Sequence, residues 1–353
     1  MENLRHIPID VLEQTLKDWG EPKFRIQQIK DWIWVKNVGS IEEMSNVSKE
    51  LRAKLHALFY IPKVSIDHSQ FSDDGTIKSR FRLHDDRFVE GVLIPTDKRI
   101  TACVSSQVGC SLACKFCATG YMKRMRNLDW DEIVDEVTLI DELAQTHFNR
   151  KLSNIVFMGM GEPLLNYKNM MQAIDRITSP EGLGMSPRRI TVSTAGVAKM
   201  IRQLGDDGVK FKLAVSLHAA NDEKRDQIMP INETSNLKTL IEALNYFYQK
   251  TKNAITLEYI LFSEFNDRLE DAAELVKVFR QIPADLVNII EYNPIEMADF
   301  KKPNEEVTDR FMDYLTQHRV NARLRRSRGK DIDAACGQLA NIDLDNIPTS
   351  TNP

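Results

Sequence analysis

From Ile100 onward the chain alternates short apolar, strand-like runs with segments of helical periodicity, and this alternation restricts the possible folds more than any other feature. The strand-like runs are Ile100–Val104, Asn154–Met158, Arg189–Ser193, Lys212–Leu217, Ile255–Leu261, Val287–Tyr292 and Val320–Arg325. Helical patterns fill the gaps. In Asp129–Gln145, Ile133, Val137, Ile140 and Ala144 fall on one stripe, with Asp129 and Glu132 placed to cap its start. Each strand–helix repeat returns the next strand parallel to the last, so a parallel sheet covered by helices is expected. About six repeats fall short of the eight in a closed (β/α)8 barrel. The chain therefore reads as α/β, a partial (β/α)6 TIM-like barrel, with a doubly wound open sheet as the second choice.

The segment before Ile100 reads differently. From Glu21 to about Tyr60 the pattern is helical, with Met44, Val47, Leu51, Leu55 and Leu58 on one face and Ser40 with Glu43 resembling a capping box. Strands follow: Thr76–Leu83 and Arg87–Ile94 flank Asp85-Asp86, and Asp74-Gly75 makes a turn before them. The expected division is a helical accessory domain over 1–62, a β-meander extension over 63–98, the partial barrel over 99–327 and a C-terminal segment over 328–353, loose after Asn341. Hydrophobic residues at 42% and charged residues at 28% are an ordinary globular balance. A net charge of −4 excludes a generic polyanion binder, so any nucleic-acid contact must use local basic patches. Met1–Gly20 has no signal-like apolar stretch, and no run approaches the roughly 20 apolar residues that span a bilayer. A cytoplasmic protein without membrane contact is expected.

Four of the five cysteines, Cys103, Cys110, Cys114 and Cys117, sit within fifteen residues, which points to metal or redox chemistry rather than a disulfide framework. Cys110, Cys114 and Cys117 form C-x-x-x-C-x-x-C. Three such thiolates can hold three corners of a [4Fe–4S] cluster and leave the fourth iron open to the amino and carboxylate groups of S-adenosylmethionine (SAM). The alternative is a zinc site completed by Cys103 or a histidine, yet zinc ribbons pair two C-x-x-C units and no second unit occurs. About forty residues later an apolar strand runs into Gly159-Met160-Gly161-Glu162-Pro163. Glycines there permit close backbone approach, and Glu162 can receive an ammonium group. This pairing of motifs resembles the radical SAM superfamily, in which the second element, here Gly161 and Glu162, binds the SAM amino group. Ser193, Ser216-Leu217-His218 and Asn293 end further strands at the rim where parallel barrels keep their sites.

The motifs C-V-S-S-Q-V-G-C-S-L-A-C-K-F-C-A-T-G, G-M-G-E-P-L-L-N, S-L-H-A, I-M-P-I-N and R-G-x-D-I-D-A-A-C-G-Q-L together resemble the RlmN/Cfr family of radical SAM RNA methyltransferases. The resemblance spans nearly the whole chain. Arg325-Arg326-Ser327-Arg328-Gly329 and Asp331-Ile332-Asp333 are closer to its adenine-C2 branch than to its C8 branch. One departure is Ser263-Glu264-Phe265 before Asn266-Asp267, where the family tends to carry a glycine able to take positive φ.

The resemblance implies that two SAM molecules are used per turnover. One methylates Cys336; the second yields a deoxyadenosyl radical that activates the Cys336 methyl group for addition to adenine C2. Cys103 would then remove the C2 proton and resolve the protein–RNA link, leaving a Cys103–Cys336 disulfide for reduction. Glu90, an acid within the apolar run Phe88–Ile94, is either a structural ion pair with an arginine or, as the resemblance implies, a general base. The implied substrates are an adenosine of large-subunit rRNA and one next to the tRNA anticodon, and the implied electron donor is flavodoxin-like. A monomer is expected. Arg319–Lys330 holds six basic residues and no acid; with Lys123-Arg124-Met125-Arg126 and Arg188-Arg189 it offers phosphate contacts. The rivals are a C8 methyltransferase and a zinc-stapled RNA-binding protein.

Overall fold

A computed structural model describes residues 1–341; the expected loose tail after Asn341, and with it the end of the 328–353 segment, lies outside these residues. Ten strands form one open sheet in which each pairs with its neighbours in chain order. They are β1 (Ser65–Phe71), β2 (Ile77–Arg82), β3 (Phe88–Pro95), β4 (Ile100–Cys103), β5 (Asn154–Phe157), β6 (Ile190–Thr194), β7 (Lys212–Ser216), β8 (Ile255–Leu261), β9 (Leu286–Glu291) and β10 (Ala322–Arg325). β4 through β10 are all parallel, so six crossovers link seven parallel strands. β1 through β4 are antiparallel, and β3 joins the parallel part through Val92↔Cys103 and Pro95↔Ile100. The expected β-meander therefore continues the barrel sheet itself.

Ile255, Leu257, Tyr259 and Leu261 of β8 are buried, as are Ile190 and Val192 of β6, because helices cover these apolar runs. The helix Trp130–Phe148 begins where expected: Glu132 accepts the Asp129 N–H at 2.9 Å, and Ile133, Val137, Ile140 and Ala144 are buried. The expected cap at Ser40 is displaced. Ser40 precedes only one 3-10 turn, Ile41–Glu43, and its side chain makes no cap bond. The helix starts at Lys49, where the Ser48 hydroxyl accepts from Leu51 N–H at 3.2 Å. Ser48 stands directly before the uninterrupted helix formers of Lys49–Leu58, whereas Met44–Val47 contains Ser and Asn, which favour turns. Met44 and Val47 are still buried, while Leu58 is 47% exposed and leaves the predicted stripe.

Residues 4–61 enclose their own core around Met44, Leu51 and Leu55. This module docks on the Trp130–Phe148 helix through buried polar contacts. Arg5 pairs with Asp135 at 2.7 Å, Asn3 and His6 meet Asp131, and Trp34 stacks on Trp130. The candidate cavity lies elsewhere, at the carboxyl ends of the parallel strands.

Candidate active site

The loop carrying Cys110, Cys114 and Cys117 is closed at its base by the pair Gln107–Val108 with Arg126–Asn127. It folds tightly upon itself. Gly109 has φ +75, and a Cβ there would meet Lys123 O at 2.4 Å; a Cβ on Gly120 would meet Cys114 O at 2.5 Å. All three thiols consequently line one cavity. Burial pushes the Cys110 thiol up to about 11 and raises Cys114 and Cys117 as well, with mutual repulsion of the thiolates adding to it. Such a set of soft donors fits a cationic metal centre that offsets the repulsion, and the open volume beside it leaves room for a ligand.

Across the cavity, β5 ends in Gly159-Met160-Gly161-Glu162. The glycines permit close approach, but to the chain itself. A Cβ on Gly159 would meet Ser105 Oγ at 2.7 Å; Gly161 has φ +93 and would meet the Gln107 side chain at 2.5 Å. Ser105 Oγ accepts from Met160 N–H at 2.8 Å, and Gln107 Oε1 accepts from Glu162 N–H at 2.9 Å. Thus the Ser105-Ser106-Gln107 stretch braces the loop that presents Glu162. The Glu162 carboxylate accepts from Ala195 N–H at 2.8 Å and Leu164 N–H at 3.1 Å. Burial raises it to about 7 despite these bonds. Among the described residues it has no cationic partner, which suits an incoming ammonium.

Ser193 of β6, Ser216 of β7 and His218 also line the cavity. His218, at φ +54, accepts from Ile260 N–H on Nδ1 at 3.1 Å and presents its ring to Phe116 at 4.7 Å. Burial lowers it to about 3, so it is neutral. Leu217 packs into the main core instead of lining the cavity. Asn293 is likewise outside the lining; its amide donates to Ser327 Oγ at 2.9 Å and to Cys336 O at 3.2 Å.

Cys336 lines this cavity and also a smaller adjoining one, whose wall includes Cys103. Both cysteines are free thiols. Burial first, and the neighbouring Cys336 second, push Cys103 far above the ordinary thiol range. The Cys336 loop is strapped down. Gly337 O accepts from Ala118 N–H at 2.7 Å, Leu339 O from Thr119 Oγ1 at 2.6 Å, and Asp331 from Ser72 Oγ at 2.6 Å. Glu90 lines neither cavity. Its carboxylate accepts from Ala340 N–H at 2.9 Å and faces Lys78 at 3.9 Å, a lysine where an arginine was the expected ion-pair partner.

Two polar residues at the site, Glu258 and Arg225, were not singled out from the sequence, and Arg325 was read only as part of a motif and a basic stretch. Glu258 and Arg325 line the main cavity and face each other at 3.6 Å, and Arg225 lies fully buried behind it. Glu258 was detectable by the logic that found Glu90, an acid in an otherwise apolar strand. Of the basic stretches, Arg188, Arg189, Lys123 and Arg124 are exposed. Arg126 is engaged by Asp85 and Glu132, and Lys330 by Glu291. The departure at Ser263-Glu264-Phe265 is absorbed locally: Glu264 itself takes φ +62, and its N–H meets Asp267 Oδ1 at 3.1 Å.

A parallel-rich α/β sheet with three cysteines at its rim defines the radical SAM class, and the pattern described as "Radical SAM superfamily" matches residues 104–276. The pattern "Ribosomal RNA large subunit methyltransferase N-terminal domain" matches residues 2–61. A "Probable dual-specificity RNA methyltransferase RlmN" of Christiangramia forsetii is 54% identical, over 96% of each chain. A protein of the same name from Cytophaga hutchinsonii is 55% identical, over 93% of this chain and 90% of its own. The crystal structure of a radical SAM methyltransferase from Sphaerobacter thermophilus superposes with a TM-score of 0.88 at 38% identity, covering 96% of this chain and 99% of that one. The chain belongs to the RlmN family of radical SAM RNA methyltransferases. Enzymes of the radical SAM class use a [4Fe–4S] cluster and SAM, which the zinc-protein reading does not accommodate. Among the described residues, no helix is long and apolar enough to cross a membrane.

Proposed function

We propose that the enzyme methylates C2 of adenine in large-subunit rRNA and in tRNA, with Cys336 as the methyl carrier and Cys103 as its resolving partner. The observation that carries this reading is the position of Cys336, at the junction of a cavity bearing three thiols and a cavity bearing Cys103. Cys110, Cys114 and Cys117 would hold the cluster, and Gly161, Glu162, Ser193, Ser216 and His218 would cradle SAM. When bound, these groups supply a methyl donor and a hydrogen-abstracting radical. C2 is an electron-poor ring carbon without a nucleophilic lone pair, so a carrier that delivers carbon as a radical answers the chemical difficulty.

Cys336 Sγ would take the methyl carbon of one SAM, with S-adenosylhomocysteine as the leaving group, and, once one hydrogen is removed from it, would carry that carbon onto C2. Cys103 would take the C2 proton, with the electron left over from radical addition returning to the cluster; its sulfur would then attack Cys336 Sγ as the S–CH2 bond breaks, the freed carbon would gain a proton to become methyl, and external electrons would reduce the disulfide left behind. Burial keeps Cys103 protonated until then, so its activation depends on a base or on rearrangement when RNA binds. The Ala340 contact supports a bracing role for Glu90, and the Cys336 O contact supports the same for Asn293. Leu217 contributes through its backbone position between Ser216 and His218. Exposed Lys123, Arg124, Arg188 and Arg189 would meet phosphates, with salt-sensitive affinity. The target base must be unpaired or everted to reach Cys336. The helical module over 1–62 would add RNA contacts to the barrel. The protein would act as a cytoplasmic monomer with a flavodoxin-like donor.

The deciding experiment is an anaerobic reaction of reconstituted enzyme with SAM, reductant and an rRNA fragment, read by nucleoside mass spectrometry. The expected product is 2-methyladenosine, absent with Cys336→Ala and trapped as a protein–RNA cross-link with Cys103→Ala. 8-Methyladenosine would overturn the position, and release of methylated RNA by Cys103→Ala at the normal rate would overturn the resolving role.

A further inference from the structure

Arg225 is 0% exposed and sits on the short helix Asp222–Ile228, behind the cavity wall. A guanidinium has five N–H donors, and here all five are used. Nε donates to Leu217 O at 3.2 Å. Nη1 donates to Asn232 Oδ1 at 2.6 Å and Ser235 O at 3.4 Å, and Nη2 to Ala195 O at 2.7 Å and Ser216 O at 3.4 Å. Four of the acceptors are backbone carbonyls, three of them at the strand ends that carry the cradle. The Ala195 N–H in turn holds Glu162. The same helix reaches the cysteine loop, because Ile228 O accepts from Lys115 N–H at 3.0 Å, one residue after Cys114.

Among the described residues no carboxylate touches the guanidinium; Asp222 and Asp226 accept from Asn232 Nδ2, at 2.9 and 2.7 Å, one side chain removed. A buried cation without a direct counter-ion is costly unless another negative charge is close. Burial pulls the guanidinium down to about 10, and the nearby Cys114, ahead of both aspartates, opposes this. A cluster held by three thiolates is anionic, and it gains one more negative charge on reduction.

We propose that Arg225 is a positioning residue that locks the cysteine loop to the SAM-binding strand ends, and that its charge raises the reduction potential of the cluster. Hydrogen bonding alone requires no such effect; a fixed cation beside an anionic cluster favours the reduced state. The inference rests on the assignment of Cys110, Cys114 and Cys117 as cluster ligands.

The test is an anaerobic potentiometric titration of full-length, reconstituted protein without SAM, followed by the EPR signal of the reduced cluster, alongside iron and sulfide analysis. In Arg225→Gln the ratio of reduced to oxidised cluster at a fixed potential is expected to fall about tenfold, equivalent to about 59 mV for one electron. Arg225→Lys keeps the charge and loses the fork, so its potential should stay near wild type while SAM affinity weakens. An unchanged potential in Arg225→Gln, an upward shift of the kind that water entry causes, or equal shifts in both variants overturns the proposal. If Arg225→Gln holds no iron, exposed Asp226→Asn gives the reading: removal of that acid should raise the potential, and no change overturns the charge role. Wild-type protein without iron or EPR signal overturns the ligand assignment itself, an outcome distinct from a shift of the wrong sign.

Discussion

Replacement of Glu162 by glutamine should change how stability depends on pH, with a magnitude that follows from its burial. The carboxyl titrates at about 7 in the folded protein against an ordinary value of 4.5. Between those values the unfolded chain has released its proton while the folded chain retains it, so stability falls as pH rises through this window. The stabilising share is complete below 4.5 and gone above about 7. At about 1.4 kcal/mol per pH unit, the wild type loses about 3 kcal/mol through this one group. The substituted amide would not titrate, yet its single carbonyl cannot serve both the Ala195 and Leu164 N–H groups, a cost of about 1–3 kcal/mol at every pH. The assay is denaturant unfolding of metal-free wild type and Glu162→Gln from about pH 4.5 to about pH 8. The variant should be the less stable protein at the acid end. Its deficit should then close by about 3 kcal/mol, leaving it equal or ahead at the alkaline end. A difference between the two proteins that stays constant with pH would refute the reasoning.

Gly161→Ala places a Cβ 2.5 Å from the Gln107 side chain at φ +93, so it should displace Glu162 and weaken SAM binding; equal SAM affinity by calorimetry would contradict this. Arg5→Met strands buried Asp135 and should cost about 3–5 kcal/mol, read as earlier protease cleavage between the helical module and the barrel; wild-type cleavage rates would count against a docking role. Thr119→Val leaves the Leu339 carbonyl without its donor, a loss of about 1–3 kcal/mol. Intact-protein mass spectrometry should then show a smaller S-methylated fraction of Cys336, and an unchanged fraction would mean the strap does not position that thiol.

The barrel strands were legible because buried parallel strands are written as apolar runs; Ile255–Leu261 matches residue for residue, and the others shift by one or two. The cysteine loop was legible because cluster chemistry fixes both residue type and spacing. Leu217 and Asn293 were harder, since strand-end position alone does not say which way a side chain faces. Arg225 was invisible for a related reason: its partners are carbonyls of residues 195, 216, 217 and 235, and carbonyls leave no signature in a sequence. The module's docking through Arg5 and Asp135 depends on two side chains 130 positions apart, a pairing that no local pattern encodes.

The straps on the Cys336 loop also bear on the order in which the enzyme is completed during synthesis. Thr119 and the carbonyl it binds at Leu339 are 220 residues apart, so the cysteine triplet leaves the ribosome long before its cover exists. Until residues 337–339 arrive, the Ala118 N–H and the Thr119 hydroxyl lack these two acceptors, and the cavity lacks the cysteine proposed as methyl carrier. On the proposed mechanism, a nascent chain without Cys336 would be unable to methylate RNA. Chemical competence comes only with the last part of the described chain.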